Sequence, residues 1–219
     1  MNISPLTQNC DEIYKKREHV CIGISPFNSL FSEDYIAALV KWASANFERF
    51  HLFLPDEPTF YTLEALGYSP DDCRRKMKKQ LNWLKNKINH ALEKNGIHSK
   101  ESHLLDWEAL KKNKIFQSEL DKSFGLFDSN EEFRNECLLS SRWVLENKID
   151  EKEITDERLL KAVKYFLSEI PLFAASNEIT GTNSSLFCYH QAISFHQKLY
   201  QKELVLLPSP GQGYGVIQL

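Results

Sequence analysis

The chain has 219 residues, 42% of them hydrophobic, and a formal net charge of −3. That length suits one domain with a full core, and no run of about 18 apolar residues is present to form a membrane-spanning helix. Five widely spaced cysteines without a CxxC pair and seven histidines without HExxH spacing favour reduced, packed thiols over a disulfide framework or a metal site.

The first residues, MNISPLTQNC, lack the basic-then-apolar pattern of a secretion leader, so a cytoplasmic protein is expected. Residues 19–25, HVCIGIS, are a short β-branched run that reads as a buried strand. A helix follows over 32–47, with Ser32 as its cap and Glu33 and Asp34 in its first turn. Residues 51–54 form a second strand, stopped by Pro55. Strand, helix, strand in that order implies a right-handed crossover and a parallel sheet.

A long amphipathic helix spans 71–94, its apolar stripe made by Met77, Leu81, Leu84, Ile88 and Leu92, with Gly96 closing it. Residues 102–106 read as a third strand. The stretch 107–148 is mostly helical with a break at 125–130. A helix over 156–169 is expected to end near Pro171, followed by a loop over 177–183. Then come an apolar run at 185–188, a helix over 189–201, a last strand at 203–207 and a loose Gly- and Pro-containing tail from 208. The expectation is a single domain over 1–219 with its core within 19–207. Its class is α/β: a parallel sheet flanked by helices.

Ligands bind outside the carboxyl ends of parallel strands. Ser25 stands where the first strand ends, a place suited to a nucleophile, although a Ser-Pro pair also simply opens turns. Gly23-Ile24-Ser25-Pro26-Phe27 is not a GxSxG elbow. Tyr165 and Glu169 are four apart on a helix and share a face among apolar neighbours. A carboxylate there needs a cationic partner, unless it is an ordinary solvated acid in a last turn, where the helix dipole disfavours it.

Residues 71–94 hold Arg74, Arg75, Lys76, Lys78, Lys79, Lys85, Lys87 and Lys94 against three acids, a local charge of +5 on a remainder of −8. Lys76, Lys79, Trp83, Lys87, His90 and Lys94 share one face. A cationic helix on an anionic body fits a polyanion such as RNA, an anionic membrane, or merely a solvated lysine face.

Together these features resemble the cyclodipeptide synthase family. The run from His19 through Gly23 to Ser25 is similar to the family's first signature; Tyr165, Glu169 and Pro171 are similar to its second. Tyr189-His190, preceded by Gly181 and Ser184-Ser185, is a third match, and Asn28 with Tyr189 and His190 resembles the branch named for that trio. The resemblance covers about residues 19–201. It implies a Rossmann-like domain similar to class I tyrosyl- and tryptophanyl-tRNA synthetase catalytic domains, without an ATP site: no HIGH-like, KMSKS-like or Walker pattern occurs, and no cofactor is implied. It further implies ping-pong transfer from two aminoacyl-tRNAs through an aminoacyl-Ser25 intermediate to a diketopiperazine. In that scheme Glu169 and Tyr165 hold the amino group, Tyr189 relays a proton, and Asn28 and His190 position Tyr189 and the Ser25 loop; His190 as a merely packed histidine is the other reading. Cys21, Gly23, Leu172, Phe173 and Phe187 would line a pocket for a hydrophobic first residue, the alternative for the apolar ones being plain core packing. The basic helix would carry tRNA phosphates, and a downstream tailoring enzyme is a possible partner; no membrane partner is expected. Two other readings stay open on sequence: a serine esterase using Ser25 with His190, and a non-catalytic tRNA-binding module.

Overall fold

The structure, a computed structural model, describes residues 1–218, apart from the side chains of residues 100 and 101. In chain order come β1 (Asn2–Pro5), α1 (Gln8–Lys16), β2 (His19–Gly23), α2 (Glu33–Asn46), β3 (Arg49–Phe53), α3 (Thr59–Ala65), α4 (Pro70–Lys94), β4 (Leu104–Leu105), α5 (Trp107–Lys112), α6 (Lys114–Ser129), α7 (Glu131–Glu146), α8 (Asp156–Thr180), β5 (Ser185–Tyr189), α9 (Ser194–Gln201) and β6 (Gln212–Gln218). The strands lie in the order β1-β6-β5-β2-β3-β4. All neighbours are parallel except β1, which runs antiparallel to β6.

β2 is buried along its whole length because helices cover both faces of the sheet. Val20 and Ile22 pack with α2 and the apolar stripe of α4, through Leu39, Val40, Leu84 and Ile88. Cys21 faces the opposite core, built from α6, α7, α8 and α9 with Phe187 and Tyr214. α4 starts as its sequence dictates: Ser69 accepts from the Asp72 amide, Pro70 occupies the first turn, and Gly96 adopts a φ of 75° just past the end.

The expected α/β class and the crossover hold, and several expected elements do not. The third strand shrinks to Leu104–Leu105. Gly125 lies inside α6, and the break falls at Asn130, whose side chain accepts from the Phe133 amide. The expected helix at 189–201 begins only at Ser194, because Tyr189 ends β5. Residues 203–207 form no ladder; the strand comes later, where the supposedly loose tail becomes β6 between β1 and β5. β1, α1 and α3 were not anticipated.

α8 does not stop near Pro171 but continues to Thr180, so the first residues of the expected 177–183 loop are helical. The proline removes one amide, and the helix kinks four residues later at Ala175 (φ −150°, ψ 30°). Two carbonyls beside the kink find other donors: the Tyr200 hydroxyl donates to Phe173 O at 2.6 Å and the Ser209 amide to Ala174 O at 2.7 Å. Past the kink, Ser176, Ser185, His19 and His51 form a hydrogen-bonded chain with Gln212 at the amino ends of the strands. Burial holds both histidines neutral, with pKa values lowered to about 3 for His19 and about 4 for His51.

Because the kink leaves the Phe173 carbonyl dependent on one buried phenol, Tyr200→Phe strands an unsatisfied acceptor. We expect it to cost about 1–3 kcal/mol in urea unfolding with an unchanged slope. A melt indistinguishable from wild type would show that the carbonyl is solvated.

Candidate active site

The strand order places the topological switch between β2 and β5: the chain leaves β2 toward β3 and β4 and returns to its other side with β5. The carboxyl ends of these two strands open a crevice, the preferred ligand position in such sheets. Ser25 follows β2 and Tyr189 ends β5, so the switch brings together residues that are 164 positions apart in sequence. A cavity of about 390 Å³ occupies the crevice.

Gly23 allows the approach. A Cβ at Gly23 would stand 3.1 Å from Phe187 Cζ and 3.2 Å from Tyr189 Cδ2, tighter than most such contacts, so side chains here would push both rings aside. Ser25 then projects into the cavity. Its hydroxyl makes a long contact to the Pro26 carbonyl (3.4 Å) and shares the cavity with the Tyr165 and Tyr189 phenols.

α8 supplies the opposite wall. Tyr165, Glu169 and Phe173 recur every four residues, so one helical face lines the cavity. Because the helix runs on to Thr180, Glu169 is mid-helix and not in a last turn, which removes the dipole argument about its position. Protein encloses the Glu169 carboxyl everywhere except toward the cavity. Desolvation raises its pKa to about 8, only partly opposed by a hydrogen bond with Tyr165. The Tyr165 phenol is pushed well up by burial and by the neighbouring Glu169, and the Tyr189 phenol to about 12 by burial.

Asn28 and His190 form the rim. Asn28 Oδ1 accepts from the Leu30 amide (3.0 Å), which turns Nδ2 toward His190 Nε2 at 3.0 Å. Half-buried, His190 has a lowered pKa, so a neutral ring with Nε2 as acceptor satisfies this contact. Phe31 stacks against Tyr189.

All six residues expected to be catalytic therefore line one cavity. Of the five expected pocket residues, Gly23, Phe173 and Phe187 line it, whereas Cys21 and Leu172 are closed off in the adjoining core. The sequence reading missed Trp143 and Val144 from α7, Asn147 and Lys148 just past its end, and His196 and Tyr214 from α9 and β6. Tyr214 gave no signal, since its strand was read as a tail.

The basic residues do not act alike. Lys85 turns inward to Asp56 and Asp106, both at 3.2 Å. Arg74, Arg75 and Lys94 pair with Asp71, Asp72 and Asp34. Lys87 donates to the Phe31 carbonyl (3.0 Å) beside the site. Lys76, Lys78 and Lys79 make no ion pair among the described residues.

Sheet, switch point and cavity define an α/β protein with a ligand site at the carboxyl ends of its strands, and the relatives give its family. The model of the cyclodipeptide synthase family matches residues 1–219, and the chain belongs to that family of aminoacyl-transferring enzymes that form cyclodipeptides. It is 32% identical to the cyclo(L-leucyl-L-leucyl) synthase of Bacillus subtilis (strain 168), over 97% of this chain and 87% of that one. The crystal structure of a cyclodipeptide synthase from Bacillus thermoamylovorans superposes with a TM-score of 0.92 at 33% identity, covering 99% of this chain and 95% of that chain. A Mycobacterium tuberculosis structure, described as demonstrating that cyclodipeptide synthetases are related to type I tRNA synthetases, gives a TM-score of 0.86 at 28% identity, covering 98% and 91%.

The raised pKa of Glu169 has a sign. The folded state holds this proton up to about pH 8 while the unfolded chain releases it near 4.5, so the carboxyl lowers stability increasingly across that window. Glu169→Gln is therefore expected to stabilise the fold at pH 8 by up to a few kcal/mol, at about 1.4 kcal/mol per pKa unit, read as a higher melting temperature. The gain should vanish near pH 4. An equal shift at both pH values would mean that the carboxyl is not desolvated.

Proposed function

We propose that this enzyme takes aminoacyl groups from two aminoacyl-tRNAs in turn, through an ester on Ser25, and releases a cyclic dipeptide. The observation that carries the reading is Ser25 in one cavity with two phenols and a desolvated carboxyl, Glu169, that makes no ion pair among the described residues.

In the first step the Ser25 oxygen attacks the ester carbonyl of the charged tRNA. The bond to the ribose oxygen breaks, and that oxygen leaves with the serine's proton. A substrate already activated as an ester needs no ATP, and covalent catalysis divides one hard transfer into two easier ones. Glu169 and Tyr165 hold the substrate's amino group: an ammonium supplies the missing cation, and Glu169 ionises against it. The amine of the Ser25-bound aminoacyl group then attacks the ester carbonyl of the second aminoacyl-tRNA; the bond to that ribose oxygen breaks, the tRNA leaves with the amine's proton, and a dipeptidyl-enzyme remains. Its free amine closes on the ester carbonyl and returns the proton to Ser25. Tyr189 is placed to pass that proton, and its high pKa keeps it a phenol able to donate. Asn28 and His190 position Tyr189 and the Ser25 loop.

Phe173 and Phe187 give the inner cavity aromatic walls, which favours a hydrophobic first residue, as in the leucine-using relative named above. The tRNA phosphates would follow α4 through Lys76, Lys78, Lys79 and Lys87, with Arg74, Arg75 and Lys94 available by exchange of exposed ion pairs that are worth little. Lys85 is committed to its two aspartates. Charged tRNA as substrate implies work in the cytoplasm. A serine hydrolase would need a carboxylate orienting His190, whereas its partner is the Asn28 amide.

The test is Ser25→Ala. We expect tRNA affinity within about twofold of wild type and no cyclic dipeptide by mass spectrometry, with labelled aminoacyl ester retained on wild type alone. Undiminished product from the variant would end the covalent mechanism.

A further inference from the structure

A second cleft, of about 420 Å³, opens on the protein surface beside the active-site cavity and is lined by Phe27, Lys76, Lys79, Gln80 and Trp83. Phe27 lines both, so one ring is the wall between them. We propose that this cleft is a stacking site for one unpaired nucleobase near the 3′ end of the tRNA whose aminoacyl ester lies at Ser25; the inference rests on the tRNA reading above.

Four observations carry it. Phe27 adopts a φ of 60°, the left-handed region that a side-chain-bearing residue seldom occupies, and its ring is 39% exposed. Strain of this kind is kept where the surroundings hold it for use. Trp83 is 54% exposed in the middle of α4, facing the same cleft. Its orientation is set in advance: the Lys87 ammonium sits 3.3 Å from the ring centroid and is itself tied to the Phe31 carbonyl. That leaves the rest of the indole surface for a ligand. Finally, among the described residues Lys76 and Lys79 make no ion pair, while the arginines of α4 and Lys85 and Lys94 do.

Two exposed aromatic rings sharing a cleft with two ammonium groups that make no ion pair among the described residues, Lys76 resting over the Tyr68 ring at 4.5 Å, match a base and its flanking phosphates. Every base offers a π-face, so such a site binds without reading sequence. An anionic lipid surface would not need a walled cleft opening onto the active site. The location also fits: a base held against Phe27 is one wall away from the cavity in which the ester of the same strand must react. Holding that base fixes the ester's approach to Ser25 without using any group inside the cavity.

The experiment uses the full chain and synthetic acceptor-stem hairpins whose unpaired 3′ nucleotides are made abasic one at a time, so that phosphates are kept. Trp83→Ala should bind the intact hairpin on the order of tenfold more weakly. On the hairpin abasic at the stacked position it should cost nothing further, and Trp83→Phe should recover most of the loss. Lys76→Ala with Lys79→Ala should weaken all hairpins alike and flatten the salt dependence. The proposal is overturned if Trp83→Ala binds the intact hairpin like wild type, or loses the same factor on every abasic hairpin. It is equally overturned if the variant loses only binding to phosphatidylglycerol vesicles. A wild type that makes product from charged tRNA while showing any of these results sinks the stacking site alone; one that neither binds hairpins nor uses charged tRNA sinks both readings. Trp83 is exposed, so an unchanged melting curve is expected and serves as the folding control.

Discussion

A desolvated carboxyl group lining a crevice, with no ion pair among the described residues, is the constraint on which this molecule turns. Glu169 is desolvated enough to hold its proton to about pH 8, and its partner is a phenol rather than a lysine or arginine. A free-standing arrangement of this kind is unfavourable, since burying a carboxyl costs more than one neutral hydrogen bond returns. It persists because α8 is locked on every other face: Phe166, Leu167, Ile170 and Leu172 are core residues, and the helix cannot rotate Glu169 into water without exposing them. The core therefore holds a strained group in place, the usual relation between a rigid scaffold and a preorganised site.

How much of this could be read from sequence follows from where each signal resides. Ser25, the strand before it and the glycine two residues earlier are local, and strand ends announce themselves. The four-residue spacing of Tyr165 and Glu169 is also local and survives any error in helix length. What failed was the inference that depends on partners far away. Pro171 reads as a terminator, yet the helix runs on past it, and at the kink that follows, at Ala175, other donors take the freed carbonyls, here Tyr200 and Ser209. Those donors are 27 and 35 residues removed from the carbonyls that they satisfy. No window around Pro171 contains them.

The C-terminal segment shows the same limit from the other side. Residues 203–207 alternate as a strand should, with Leu204 and Leu206 buried and Val205 and Leu207 exposed, but they lie over the core without a ladder partner. Residues 212–218 look like a flexible tail, yet they form a buried strand in which Gly213 lets Ile13 and Leu186 approach to 3.1 Å of where a Cβ would stand. Glycine in that strand marks close packing, not mobility. The consequence reaches the site, because Tyr214 comes with the strand and closes the cavity beside Phe173 and Phe187.

Two surfaces with opposite electrostatics meet at the Ser25 loop, and their difference bears on selectivity. In water an ammonium and a carboxylate gain only about 1 kcal/mol at contact distance, and salt screens it. That regime suits the exposed lysines of α4 in their proposed role of gathering a polyanion without committing to its sequence. Inside the cavity the balance differs. An acyl group without an amine leaves Glu169 protonated and recovers none of the desolvation already imposed on it. An ammonium-bearing acyl group lets the carboxyl ionise against a partner in a low-dielectric space, where that pairing is strongest. The unfavourable burial of Glu169 thus converts a generic charge attraction into a preference for α-amino acyl groups. The proposed chemistry requires the same preference, because the amine held in the first step is the nucleophile that forms the first peptide bond.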